Sequence, residues 1–310
     1  MLGPVAANTG TMAPAHPYTP HDALARNAAT RPEPWRLPIG MMVMLVAGFG
    51  LGSFYWTILQ GLTLPLGYDL QAEAESGQSA AGMLALLFSF ATMAGGLALA
   101  LALVHGRRLL DLLGPLDLCW RQFRRVALYL VVLQLVIAIL PPWSQDTELV
   151  RNLGTNAWLA LLPFAVIAIG VQIATEEMIF RGYLQQHLAA RFARPAVWIS
   201  VPAILFGLGH YTPGTLGDNA MPVAIWAALF SLAASDLTAR AGTLGPALAL
   251  HMVNNGFAIL ILSYQGNLSG LSLYTLPHDM SEAESIRAAL PVDLLSLLVS
   301  WLCARIALRR

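Results

Sequence analysis

The feature that most constrains this chain is a run of about twenty apolar residues that recurs along nearly its whole length. At about 1.5 Å per helical residue, such a run matches the ~30 Å hydrocarbon core of a bilayer. One run would be an anchor, whereas a series predicts a bundle. Composition agrees, because 57% of the 310 residues are hydrophobic and only 11% are charged. A soluble domain carries about a quarter charged residues. Apolar windows place eight spans, at about Ile39–Leu62, Ala80–Val104, Val126–Leu140, Trp158–Arg181, Ala196–His210, Met221–Leu237, Leu244–Ser263 and Pro291–Leu308. The third, fifth and sixth are short for a crossing. The predicted fold class is all-α, a polytopic membrane helix bundle of about eight transmembrane helices.

The charges between the spans orient them. All seventeen basic residues are arginine. Fifteen fall at Arg26, Arg31 and Arg36, in the loop holding Arg107 to Arg125, at Arg181, Arg191 and Arg194, at Arg240, and at Arg305 to Arg310. The alternate loops hold only Arg151 and Arg287 and carry acids instead, among them Asp69, Glu73, Asp146, Glu148 and Asp279. Positive loops stay cytoplasmic, so both termini are expected inside a cell membrane. An arginine-only chain suits a bacterial inner membrane. A net charge of zero supplies no field for nucleic acid. Cys119 and Cys303 are too few and too far apart for a disulfide or zinc framework.

Residues 1–38 hold seven prolines and no long apolar run, so they are expected as a flexible Pro/Ala-rich cytoplasmic leader, not a signal peptide. Residues 39–310 are expected as the bundle. Ser281 and Glu284 sit at capping-box spacing, which predicts a short outer helix near Ser281–Ala289. Asn267-Leu268-Ser269 is read as a chance glycosylation sequon.

Ionisable groups inside a span are costly and mark function by default. They cluster in three spans, as Glu176-Glu177-xxx-Arg181, Phe206-xxx-His210 and His251-xxx-Asn255. Residues four apart share a helix face, so Glu177 can pair with Arg181 while Glu176, about 100° around the helix, faces a different neighbour. Glu176 lies roughly 22 Å along its helix from Arg191, His210 roughly 24 Å from Arg194, and His251 roughly 16 Å from Arg240. Those depths let the three groups meet at one level. Glu177 with Arg181 reads as a structural pair and Phe206 as packing or cavity shape.

A carboxylate, two imidazoles and a carboxamide around a wet cavity can hydrolyse an amide. Glu176 would be the general base on water and His210 would orient that water. His251 and Asn255 would donate to the oxyanion. No serine or cysteine is placed as a nucleophile. In a metal version, Glu176, His210 and His251 would hold Zn²⁺ with water in the fourth position. The His-Glu-x-x-His helix of common zinc proteases is absent. A site without any cofactor and a zinc site both fit these residues.

The three motifs, in order and each in its own span, resemble those of the CAAX protease and bacteriocin-processing (CPBP, or Abi) family, which includes the type II CAAX prenyl endopeptidase. The resemblance is firm over about residues 155–263, and the family-like core is expected at about 80–263, where the Arg107-Arg108 loop also looks similar. It implies an intramembrane endopeptidase with Glu176 and His210 on the water, His251 and Asn255 at the oxyanion, and Glu177 and Arg181 in support. Members are often labelled metalloproteases. The expected partners are the lipid bilayer and a membrane-associated protein or peptide substrate. Two competing expectations are a non-catalytic scaffold or bacteriocin-immunity protein, and a proton or metal-ion transporter, although no internal repeat of the transporter kind is visible.

Overall fold

The computed structural model describes residues 16–139, 149–266, 268–279 and 281–309. The first fifteen residues of the expected leader, Asp146 and Glu148 of the acidic loop, and Asn267 of the sequon lie outside them. The elements in chain order are α1 (Thr19–Ala29), α2 (Arg36–Thr63), α3 (Leu70–Ser76), α4 (Ala80–Ala100), α5 (Leu116–Ile139), β1 (Val150–Arg151), α6 (Thr155–Glu177), α7 (Gln185–Ala189), α8 (Pro195–Gly209), α9 (Pro213–Leu216), α10 (Ala220–Ala241), α11 (Gly245–Gly256), β2 (Leu262–Gln265), β3 (Tyr274–Asp279) and α12 (Ala283–Leu308). π-helical turns extend α4 over Leu101–His105, join α6 to α7 over Met178–Leu184, and extend α11 over Phe257–Ile261.

Six helices among the described residues are long and apolar enough to cross a membrane. Two further apolar helices, Pro195–Gly209 and Gly245–Ile261, are shorter. The all-α membrane bundle is therefore as expected, with six long spans and two short helices in place of eight full ones. The third expected span is not short: α5 starts at Leu116, so Arg121, Arg124 and Arg125 lie on its first turns. An apolar window stops at those arginines, but a helix does not, because long basic side chains reach out to the interface. The sixth also lengthens, to Ala241.

The connections sort into two ends. At one end, Arg191 bonds the carbonyls of Arg31 and Glu33, and Leu244 N–H donates to Leu113. At the other, Gln78 bonds the Gly266 carbonyl, Gly270 N–H donates to Gly77, and Asn219 bonds the Glu282 carbonyl. The first end carries the arginine-rich connections and the second the arginine-poor ones. Arg181 drops out of that partition, because it is fully buried within the bundle. The arginine-poor end also carries a small sheet of order β1-β3-β2, antiparallel between β1 and β3 and parallel between β2 and β3.

Two expectations need correction. The leader is not flexible throughout: α1 docks with His21, Leu24, Ala25 and Ala28 buried, Tyr18 bonded to Asp236 (2.7 Å) and His21 stacked on Trp198 (4.7 Å). Four buried residues on one face of a short helix supply apolar contact that overall polarity hides. The short outer helix near Ser281 is the start of α12, and no capping box forms there, since Ser281 bonds Asp279 instead.

Candidate active site

The site is built where α6, α8 and α11 meet. Two glycines set those approaches. A Cβ at Gly207 would lie 2.7 Å from the Ala224 carbonyl, and one at Gly245 would overlap the Cys119 carbonyl. Only glycine lets α8 lie so close to α10, and α11 so close to α5. The first approach fixes Phe206 and His210, and the second fixes His251 two turns further on.

Glu177 and Arg181 are fully buried and paired at 3.1 Å. The same Glu177 oxygen, Oε1, accepts from His251 Nδ1 at 2.8 Å. A carboxylate only accepts, so Nδ1 carries a proton and Nε2 is turned to the other glutamate. That Nε2 lies 3.5 Å from Glu176 Oε2. His251 thus touches both glutamates, one through each nitrogen. The Glu177 carboxylate fixes the tautomer, as the partner of a catalytic imidazole does.

Glu176 is the more accessible carboxylate, with 13% of its side chain exposed. Gln172 Nε2 donates to Glu176 Oε2 (2.8 Å), and Asn255 Nδ2 donates to Gln172 Oε1 (3.0 Å). Gln172 therefore bridges the two residues whose roles the sequence pattern separates. Sequence reasoning missed it because it bears no charge, yet a buried amide four residues before Glu176 on one helix face was visible.

His210 stands apart from this bonded set. Its Nδ1 donates to the Phe206 carbonyl at 2.8 Å, and its ring lies 4.5 Å from the Phe206 ring. Phe206 is the hinge of the arrangement: its ring lies 6.2 Å from that of His251 and 5.0 Å beneath the Arg181 guanidinium. Glu177, Arg181 and His251 form one bonded set and Glu176, Gln172 and Asn255 another, the two meet at the 3.5 Å approach of His251 Nε2 to Glu176, and His210 joins them through the Phe206 ring.

Among the described residues, no three His, Cys, Asp or Glu side chains are grouped to hold a metal ion. His210 bonds neither Glu176 nor His251, its Nδ1 being given to the Phe206 carbonyl, while His251 keeps Nε2 towards Glu176 with Nδ1 on Glu177, an arrangement that a metal-bound imidazole also shows. Glu176 also lines a cavity of about 590 Å³ between α2, α4 and α6, a size within the range of small-ligand sites.

Residues 156–257 match the family model described as type II CAAX prenyl endopeptidase Rce1-like. The resemblance to CAAX-type proteases is thereby shown. The match covers nearly all of α6 to α11 and so contains every residue of both bonded sets. Uncharacterized protein YyaK of Bacillus subtilis (strain 168) is 24% identical over 163 residues, 51% of this chain and 54% of that protein. The chain thus spans about half the length of the curated relative it matches. No solved structure matches. With six candidate spans, the chain is a multi-pass membrane protein that carries an Rce1-like segment.

Proposed function

We propose that this chain is an intramembrane endopeptidase that cleaves a peptide bond of a membrane-associated protein or peptide with water activated by Glu176. The observation that carries this reading is the position of Glu176, at the wall of a cavity and 3.5 Å from an imidazole whose other nitrogen is fixed by a buried carboxylate. A structural ion pair would not need the second carboxylate at the cavity.

A water seated against Glu176 Oε2 and His251 Nε2 attacks the scissile carbonyl carbon. The carbon–oxygen bond forms as Glu176 takes the proton. The carbon–nitrogen bond then breaks, and Glu176 returns that proton to the leaving amine. General base catalysis of this kind contributes about 10²- to 10⁴-fold. Asn255 uses one N–H on Gln172, and the second hydrogen of the carboxamide is available to the oxyanion. His210, with Nδ1 on the Phe206 carbonyl, leaves Nε2 to orient water or substrate from the far side of Phe206.

The test is cleavage of a capped peptide library by purified wild type and by Glu176→Gln and His251→Ala variants, with products identified by mass spectrometry. Both variants are expected to lose cleavage at least 100-fold, and a chelator to leave wild-type cleavage intact. Undiminished cleavage by Glu176→Gln would end the proposal.

A further inference from the structure

The cavity at Glu176 has a direction. Its α2 wall runs from Gly48 to Gln60, and Gln71 of α3 completes it. Helix α2 starts at the arginine-rich end and finishes at the arginine-poor end, so Gly48 to Gln60 covers about 18 Å of depth. Gln60 lies one turn from the helix end, and α3 lies wholly in the arginine-poor connections. The cavity therefore runs from Glu176 towards the arginine-poor face.

The opposite direction is closed. All eight residues from Arg181 to Leu188 are buried. Below Glu177, the Tyr183 hydroxyl bonds His105 (2.9 Å), and Arg107 bonds Gln186 (2.8 Å). This packed polar layer separates the site from the arginine-rich connections.

The lining has a chemical character too. Among the described residues that line the cavity, Glu176 alone is charged, and the others are apolar, aromatic, hydroxyl or amide. Burying a substrate charge there, beside no opposite charge except the catalytic base, would carry a large desolvation cost. Backbone amides and neutral side chains face no such cost. At the mouth, Gln60 Nε2 donates to Gln71 Oε1 at 2.7 Å. Two side-chain amides bonded across a mouth can exchange that bond for bonds to a peptide backbone with little net change. Most of this wall belongs to residues 48–93, outside the Rce1-like match.

We infer that the substrate is an uncharged, extended peptide segment that reaches Glu176 from the arginine-poor, extracytoplasmic side, between α2 and α4 and past the Gln60–Gln71 pair. The inference rests on the peptidase reading for its chemistry, but its route is tested without catalysis. Cys119→Ala and Cys303→Ala in the full chain provide a background for Ser53→Cys and, separately, Gln60→Cys. A charged, membrane-impermeant thiosulfonate is applied to sealed membranes from one face or the other. Capped neutral hexapeptides, and the same peptides with one Asp or Lys, are added as protectants, and their cleavage is followed in parallel.

Both cysteines are expected to react at least ten-fold faster from the arginine-poor face, and neutral peptides to slow that reaction more than charged ones. Equal rates, or faster reaction from the arginine-rich face, would overturn the route. Equal protection by neutral and charged peptides would overturn the substrate class. Labelling and protection as expected, with every peptide left uncut by wild type, would overturn the peptidase reading while leaving the route in place.

Discussion

Replacing Arg181 with methionine removes the cation from the most deeply buried ion pair in the site. Both side chains of the pair have no solvent exposure. Glu177 Oε1 would keep only the N–H of His251, and Oε2 already has no partner. Leaving one member of a buried pair without its counter-charge costs about 3–5 kcal/mol, which is two to four decades in the folding equilibrium at about 1.4 kcal/mol per decade. The double variant Glu177→Gln/Arg181→Met is expected to recover most of this loss. Its glutamine oxygen can still accept from His251 Nδ1, and no charge remains buried. Reversible unfolding in mixed micelles of increasing SDS fraction, applied to Glu177→Gln, Arg181→Met and the double variant, measures all three differences from wild type. The single Arg181→Met change should be the worst, and the double should fall within about 2 kcal/mol of wild type. A near-neutral Arg181→Met, or losses that simply add, would refute the view that Arg181 exists to neutralise Glu177.

Three further outcomes follow from named contacts. Gln172→Leu should lower kcat about ten- to a hundred-fold with little change in KM, since it frees both Glu176 and Asn255 without touching the cavity mouth; an unchanged kcat would show that the bridge positions nothing. His21 has both ring nitrogens buried without partners, and burial pulls its pKa from 6.5 to about 4. Its folded pKa lies below the unfolded one, so the docking of α1 should be firmest above pH 6.5 and weaken by up to about 3 kcal/mol as pH falls towards 4. Hydrogen exchange of residues 19–29, corrected for intrinsic rates, should show this in wild type and not in His21→Phe; equal pH dependence in both would remove His21 as the cause. Gly245→Ala should push α11 away from α5 and reduce both stability and cleavage, because the new methyl would overlap the Cys119 carbonyl; wild-type behaviour of this variant in both assays would contradict the close approach.

Much of this was legible in the sequence, for physical reasons. Apolar runs announce helices in a membrane, and arginine bias sorted the loops into the two ends that the structure brings together. The Glu177–Arg181 pair followed from four-residue spacing, even though a π-helical stretch begins at Met178, between the partners. What stayed hidden is tertiary. Nothing in the spacing of His251 and Asn255 says that the imidazole touches both glutamates, or that the carboxamide reaches Gln172. His210 lies at a compatible depth, yet depth alone does not create a bond, and its partner is the carbonyl of its own helix. The docking of α1 escaped notice because proline and alanine content describes a segment's average, whereas a docked face needs only a few buried residues.

The central claim is that Glu176 activates the water that breaks a peptide bond. Single-turnover cleavage of a peptide identified from the library, by wild type and by Glu176→Gln at matched folded concentration, tests it most directly. The account predicts a rate constant at least 100-fold lower in the variant, with peptide binding retained. Equal rate constants would contradict it.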